Sequence, residues 1–254
     1  MDGKNDFEVV ERIELNQKFL SPVHYGKLTY TVTALYEYYR DAQVVVDVGC
    51  GEGAILAEIA KKWNVLGIDP DAVRLKLTNL NVIEGFAEHL PIKDGVVDVV
   101  TCIDVLEHVQ DDVQAMKEIH RVLKKNCYAI ITVPNMYYPW LYDPINKFLH
   151  LFRTHLPIGM WGWEHRRLYS KEILKVWESF GFEVMEYQGR SHALIAGLVN
   201  YIPYIIEHVI RRKHGSARQA PAWMLKVSSF VCRVDSFFFD WTQPINHCVV
   251  LRKK

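Results

Sequence analysis

Short apolar runs alternate along the chain with longer stretches in which apolar residues return every three or four positions, the pattern of strands linked by helices. Val44–Val48 predicts a first strand, Ala54–Lys62 a helix, Val65–Ile68 a second strand ending at Asp69, and Asp71–Leu80 a helix. Asn81–Gly85 and Val96–Ile103 predict the third and fourth strands. Asp111 or Asp112 then caps a helix running to Leu123 or Lys124, and Tyr128–Pro134 gives a fifth strand stopped by proline. Late in the chain Ser170 as N-cap and Gly181 as stop bound a further helix, a sixth strand runs on to Gly189, and His247–Lys253 forms the last strand. Strands apolar on both faces, joined by helical crossovers, predict a doubly wound α/β fold with a mostly parallel, seven-stranded sheet. Ligands in such sheets sit beyond the carboxyl ends of the strands, where Gly49, Asp69 and Asp104 fall.

The rest of the chain is less regular. The tyrosine-rich stretch from Ser21 to Asp41 predicts helices laid across the mouth of the sheet, and residues 1–43 together a helical cap. Residues 44–189 and 246–254 form the expected core, with an aromatic-rich lid insertion at 135–169. A second, apolar insertion at 190–245 lies between the last two strands and is read as a substrate cap or an interface.

Composition narrows the choices. Of 254 residues half are hydrophobic, enough for a full core, and Lys plus Arg equal Asp plus Glu at 30 each, so no global field recruits nucleic acid. The five cysteines are far apart with no CxxC pair, which argues for free thiols in a cytoplasmic protein. The polar, acidic start lacks the order of a signal peptide, and the longest apolar run, Ala193–Val199, is too short to span a bilayer.

The stretch VVVDVGCGEGAIL, Val44–Leu56, carries the chemistry. Gly49, Gly51 and Ala54 satisfy G-x-G-x-x-A, and Asp69 stands 20 residues past Gly49, where an acid would take the ribose of a dinucleotide. Asp47, Gly49, Gly51 and Gly53 also fill D-x-G-x-G-x-G, which gives a role to an acid and a glycine that the first pattern leaves idle. This second pattern resembles motif I of the class I S-adenosylmethionine-dependent methyltransferases. LGIDPDAV, EGFAEHLPIKDGVVDVV, IDVLEHVQD, EIHRVLKKNCYAIITVPN and RLYSKEILKVWESFGFEV follow in the family's order and resemble its later motifs, most closely in the quinone-biosynthesis-type small-molecule enzymes. The resemblance covers 44–134 and 165–189. It implies S-adenosyl-L-methionine as cofactor and S-adenosyl-L-homocysteine as product, with Asp47 toward the ammonium, Gly49, Gly51 and Gly53 against the tail and ribose, Asp69 on the ribose diol, and Ala87 and Glu88 near the adenine edge. Phe86 departs from it: relatives often carry an aspartate there. The adenine amino group would then turn to Glu88, backbone or water; alternatively Phe86 is a core residue beneath the base.

For transfer chemistry, His108 beyond the fourth strand is the candidate base, with a bracing role in its loop as the plain alternative. Were that segment helical, Asp104, Glu107 and His108 would share a face, and His165 could join them to hold Mg²⁺, Mn²⁺ or Zn²⁺, a pattern resembling quinone-pathway and small-RNA methyltransferases; an ordinary polar turn is the reading preferred. The aromatic insertions predict a small, hydrophobic, aromatic or lipid-like acceptor, with O-methylation preferred to other transfers. Peripheral membrane contact and a homodimer are both compatible with these insertions, whereas the basic clusters are too short for a nucleic-acid groove. Other readings are an RNA 2′-O-methyltransferase, a nicotinamide-dependent oxidoreductase or epimerase, and a catalytically silent scaffold.

Overall fold

The computed structural model describes residues 22–39, 41–51, 53–71, 80–139, 148–149, 151–152, 166–192, 230–235, 237–238 and 242–254. Its elements are α1 (Pro22–Tyr38), β1 (Val45–Val48), α2 (Ala54–Ile59), β2 (Val65–Asp69), β3 (Val82–Glu84), β4 (Val97–Ile103), α3 (Asp112–Val122), β5 (Leu123–Pro134), α4 (Ile173–Ser179), β6 (Phe182–Arg190) and β7 (Asn246–Lys253). The helix expected over 71–80 and most of both insertions lie outside the described residues. Two compact units emerge. One contains Thr31–Pro134, Arg166–Gln188 and His247–Lys254, and the other the remaining described residues.

The described strands form one seven-stranded sheet in the order β3-β2-β1-β4-β5-β7-β6. β1 pairs in parallel with β2 and β4, β2 with β3, and β4 with β5, as a chain of helical crossovers demands. β7 runs the other way: Lys254 N donates to Gly181 O at one end and Ile245 N to Ser191 O at the other, so β6 and β7 are antiparallel. The order reverses between β1 and β4, which opens a crevice at the carboxyl edge between them.

The core of the first unit is apolar on both faces of the central strands. Val46, Val48, Val97, Val100, Cys102, Ala129, Ile131 and Val133 pack with Met116, Ile119 and Val122 of α3 and with Trp177 and Phe182. Asp111 caps α3 by accepting from Gln114 N at 2.9 Å. Arg121 ties the far end of that helix to the segment before β4, donating to Leu90 O, Ile92 O and Asp94 Oδ1 while pairing with Glu118. His247 is buried and its Nε2 lies 3.1 Å from Tyr169 O. A carbonyl only accepts, so Nε2 carries the proton and Nδ1 accepts from the Tyr187 hydroxyl at 2.9 Å. Burial pushes this imidazole below its usual range, which favours the neutral form.

Two expectations change. β5 begins at Leu123, not Tyr128, because Lys124 bonds Asp98 at 2.6 Å and Asn126 takes a left-handed φ of 62° that carries the chain on into the strand. Ser170 opens a turn through its carbonyl, and α4 itself starts at Ile173. The last turns of α1 lie against Trp63, just before β2, and against Tyr128 of β5.

Candidate active site

β1 delivers the chain into a turn whose three glycines, Gly49, Gly51 and Gly53, have φ of 70°, 53° and 77°. These are left-handed conformations that side chains resist. At Gly49 the demand is double, since a Cβ there would stand 2.3 Å from Val105 Cγ2. Gly51 is different: a Cβ would meet nothing within 4 Å among the described residues, so as far as they reach the main chain there borders space in which a ligand can lie. Gly49 N and Cys50 N both donate to Ile68 O, at 2.7 and 3.2 Å, which staples the turn to the end of β2.

Two carboxylates flank this turn. Asp69 closes β2; its Oδ2 accepts from Gly51 N at 2.8 Å and its Oδ1 from Asp71 N at 2.9 Å. Asp47 sits within β1 and is buried, its Oδ1 accepting from the Thr101 hydroxyl at 2.7 Å. Burial, with a further push from the charge of Asp69, raises Asp47 to about 7. A cation placed beside it would bring that value down, so the pair suits a positively charged ligand. Cys50, also buried beside both acids, is pushed up to about 12 and is no thiolate nucleophile.

The next strand end carries the turn Phe86–His89. Gly85 N donates to Asp69 O at 3.2 Å, and His89 N to Phe86 O at 3.0 Å. Glu88 Oε1 accepts from Gln110 N at 2.9 Å, and its carbonyl from Gln114 Nε2 at 3.4 Å, so the turn is tied to the loop beyond β4. Ala87 is buried. Phe86 is 56% exposed, so the core position is not the one it takes.

Beyond β4 the segment 104–110 folds as consecutive turns and bends, so Asp104, Glu107 and His108 do not share a helical face. Asp104 has a left-handed φ of 55°; its N–H donates to Thr132 O at 3.1 Å and its Oδ1 accepts from the Thr132 hydroxyl at 2.8 Å. Glu107 is buried and its carbonyl accepts from Arg166 N at 2.9 Å. The His108 side chain is about a third exposed, its Nε2 4.0 Å from Glu107 Oε1. Among the described residues no group of three His, Cys, Asp or Glu side chains converges as a metal ion would need, and His165 lies outside them.

Two residues that the sequence left unmarked complete the site, Thr101 under Asp47 and Thr132 under Asp104. Their one signal was a hydroxyl in the middle of a buried β-branched run.

Comparisons with known proteins agree with this geometry. A family model described as a methyltransferase domain matches residues 46–131. A probable S-adenosylmethionine-dependent methyltransferase of Mycolicibacterium smegmatis is 30% identical over 212 residues, 78% of this chain and 74% of that protein. A ubiquinone biosynthesis O-methyltransferase of Pseudomonas aeruginosa is 31% identical over 105 residues, 36% of this chain, which spans only 44% of that protein's length. Among solved structures, a SAM-dependent methyltransferase from Archaeoglobus fulgidus superposes with a TM-score of 0.54 at 16% identity, covering 89% of this chain and 94% of that one.

Proposed function

The chain belongs to the S-adenosylmethionine-dependent methyltransferases, and from that premise we propose that it methylates an oxygen of a small hydrophobic or aromatic acceptor. The observation that carries the cofactor side is the pair of acids on adjacent strand ends, Asp47 and Asp69, on either side of a left-handed glycine turn that faces open space at Gly51. These residues fit the group by charge and by room.

When bound, S-adenosylmethionine supplies a methyl group on a sulfonium for in-line displacement. In this reading Asp69 holds the ribose hydroxyls, exchanging the Gly51 and Asp71 amides for part of that contact. Asp47 loses its proton to face the ammonium, with the Thr101 hydroxyl steadying the carboxylate. Ala87 and Glu88 border the base. The glycines let the main chain approach without a Cβ in the way.

On the acceptor side, His108 stands at the same carboxyl edge, partly open to solvent, and its imidazole would hold or take the acceptor's hydroxyl proton. Alignment of two held reactants then supplies much of the rate, up to roughly 7–11 kcal/mol of the barrier. Support for an apolar acceptor comes from the aromatic insertions, where Phe148, Phe152, Phe237 and Phe238 are more than half exposed while Tyr138 and Tyr169 are buried, and from the name of the Pseudomonas relative. A screen with a labelled methyl donor over phenols, quinols, lipids and RNA tests the proposal. Label on a phenol or quinol oxygen supports it; label confined to RNA or to a nitrogen overturns the acceptor assignment.

A further inference from the structure

Phe86 is an aromatic ring that folding leaves unused. It is 56% exposed, yet the turn that carries it is held on every side: Gly85 N bonds Asp69 O, His89 N bonds Phe86 O, Ala87 is buried, and Glu88 is tied to Gln110 and Gln114. A Cβ on Gly85 would come within 2.8 Å of Ile68 Cγ2, so the turn lies tight against the end of β2. A rigid backbone presenting a bare ring is a platform rather than a loose loop.

Its place in the sheet says what lies on the platform. β3 neighbours β2 on the side away from β1, and paired strands run roughly 5 Å apart. A nucleoside held through its sugar at Asp69 has the glycine turn and Asp47 on one side and the Phe86 turn on the other. Its cationic tail is drawn toward the acids and the open main chain of the glycine turn. Its base is therefore directed to the side of β3, where Phe86 is the exposed aromatic surface among the described residues of that turn.

We infer that Phe86 is the stacking surface for the adenine of the bound nucleoside, and that this chain holds the base by its face where a carboxylate at that position would hold it by the amino edge. The inference rests on the cofactor site proposed above. Stacking needs only a π-face and is tolerant of what the base carries at its edge. A carboxylate would need the exocyclic amine.

Calorimetry with two probes tests this. S-adenosylhomocysteine carries the base; S-ribosylhomocysteine has the same tail and sugar without it. Phe86→Ala weakens S-adenosylhomocysteine binding by roughly 5- to 100-fold, the range for one lost base–aromatic stack, and leaves S-ribosylhomocysteine unchanged. Phe86→Leu keeps apolar bulk without a π-face and weakens the first probe in the same direction, while Phe86→Trp retains wild-type affinity. Melting temperatures stay close to wild type, since an exposed ring contributes little to the core. Wild-type affinity of Phe86→Ala or of Phe86→Leu for S-adenosylhomocysteine would overturn the inference, as would an equal loss for both probes. Failure of the wild-type chain to bind S-adenosylhomocysteine would instead remove the site reading on which the inference stands.

Discussion

Asp69 reaches back from the end of β2 to accept the Gly51 amide at 2.8 Å, so one carboxylate both shapes the glycine turn and marks where a sugar would be held. Replacing Asp69 with alanine removes charge-assisted hydrogen bonds worth roughly 1.5–3 kcal/mol. The expected result is S-adenosylhomocysteine affinity lower by about 10- to 100-fold in calorimetry, with asparagine between alanine and wild type.

Asp47 ties binding to pH. Its folded value is raised to about 7 from 3.8, chiefly by burial. Between those values the folded chain keeps a proton that the unfolded chain has released, so this carboxyl makes stability fall as pH rises from about 4 to 7 and level off above. Binding of a cationic tail favours the charged form, so S-adenosylhomocysteine affinity increases from pH 6 to 8 with release of a proton. Titrations in buffers of different ionisation enthalpy read that proton, and Asp47→Asn is expected to remove both the release and the pH slope.

The demands at Gly49 and Gly51 separate by substitution. Gly49→Ala forces a Cβ to 2.3 Å from Val105 at a φ of 70°, costing both strain and repacking. Gly51→Ala meets nothing within 4 Å among the described residues and carries the conformational cost, about 1–2 kcal/mol. Thermal melts therefore show the larger drop for Gly49→Ala. Gly51→Ala stays folded and loses S-adenosylhomocysteine binding, because its methyl occupies the space facing the ligand.

The parallel sheet could be read in the sequence because Val45–Val48 and Val97–Ile103 are short runs rich in valine and bounded by turn residues, and it is length and β-branching, not periodicity, that separate a buried strand from a buried helix. The same pattern concealed what it carried. Thr101 and Thr132 are good strand formers, so beyond a hydroxyl within an apolar run nothing marked them as the buried partners of Asp47 and Asp104. The early start of β5 was obscured by Lys124, Lys125 and Asn126, which read as a helix end until the Asp98 partner of Lys124 is seen. The segment after β4 has helical spacing and folds as turns, since Asp104 adopts a left-handed φ that spacing cannot reveal. Motif residues were legible because each has a chemical reason for its type; the exposure of Phe86 was not, because a phenylalanine carries no mark of which side of a surface it takes.

His108 separates chemistry from binding. His108→Ala and His108→Gln are expected to lower kcat by roughly 10²- to 10⁴-fold on the acceptor found in the labelled-methyl screen, the range for loss of a positioned base. Affinity for S-adenosylhomocysteine should stay at the wild-type value. A loss of binding in place of turnover would return His108 to a bracing role in its loop.

Side-by-side calorimetric titration of the wild-type chain with S-adenosylhomocysteine and with NAD tests the central claim most directly. The acid pair and glycine turn predict saturable one-to-one binding of S-adenosylhomocysteine and no heat from NAD. Silence toward S-adenosylhomocysteine, or saturable binding of NAD in its place, would contradict the account.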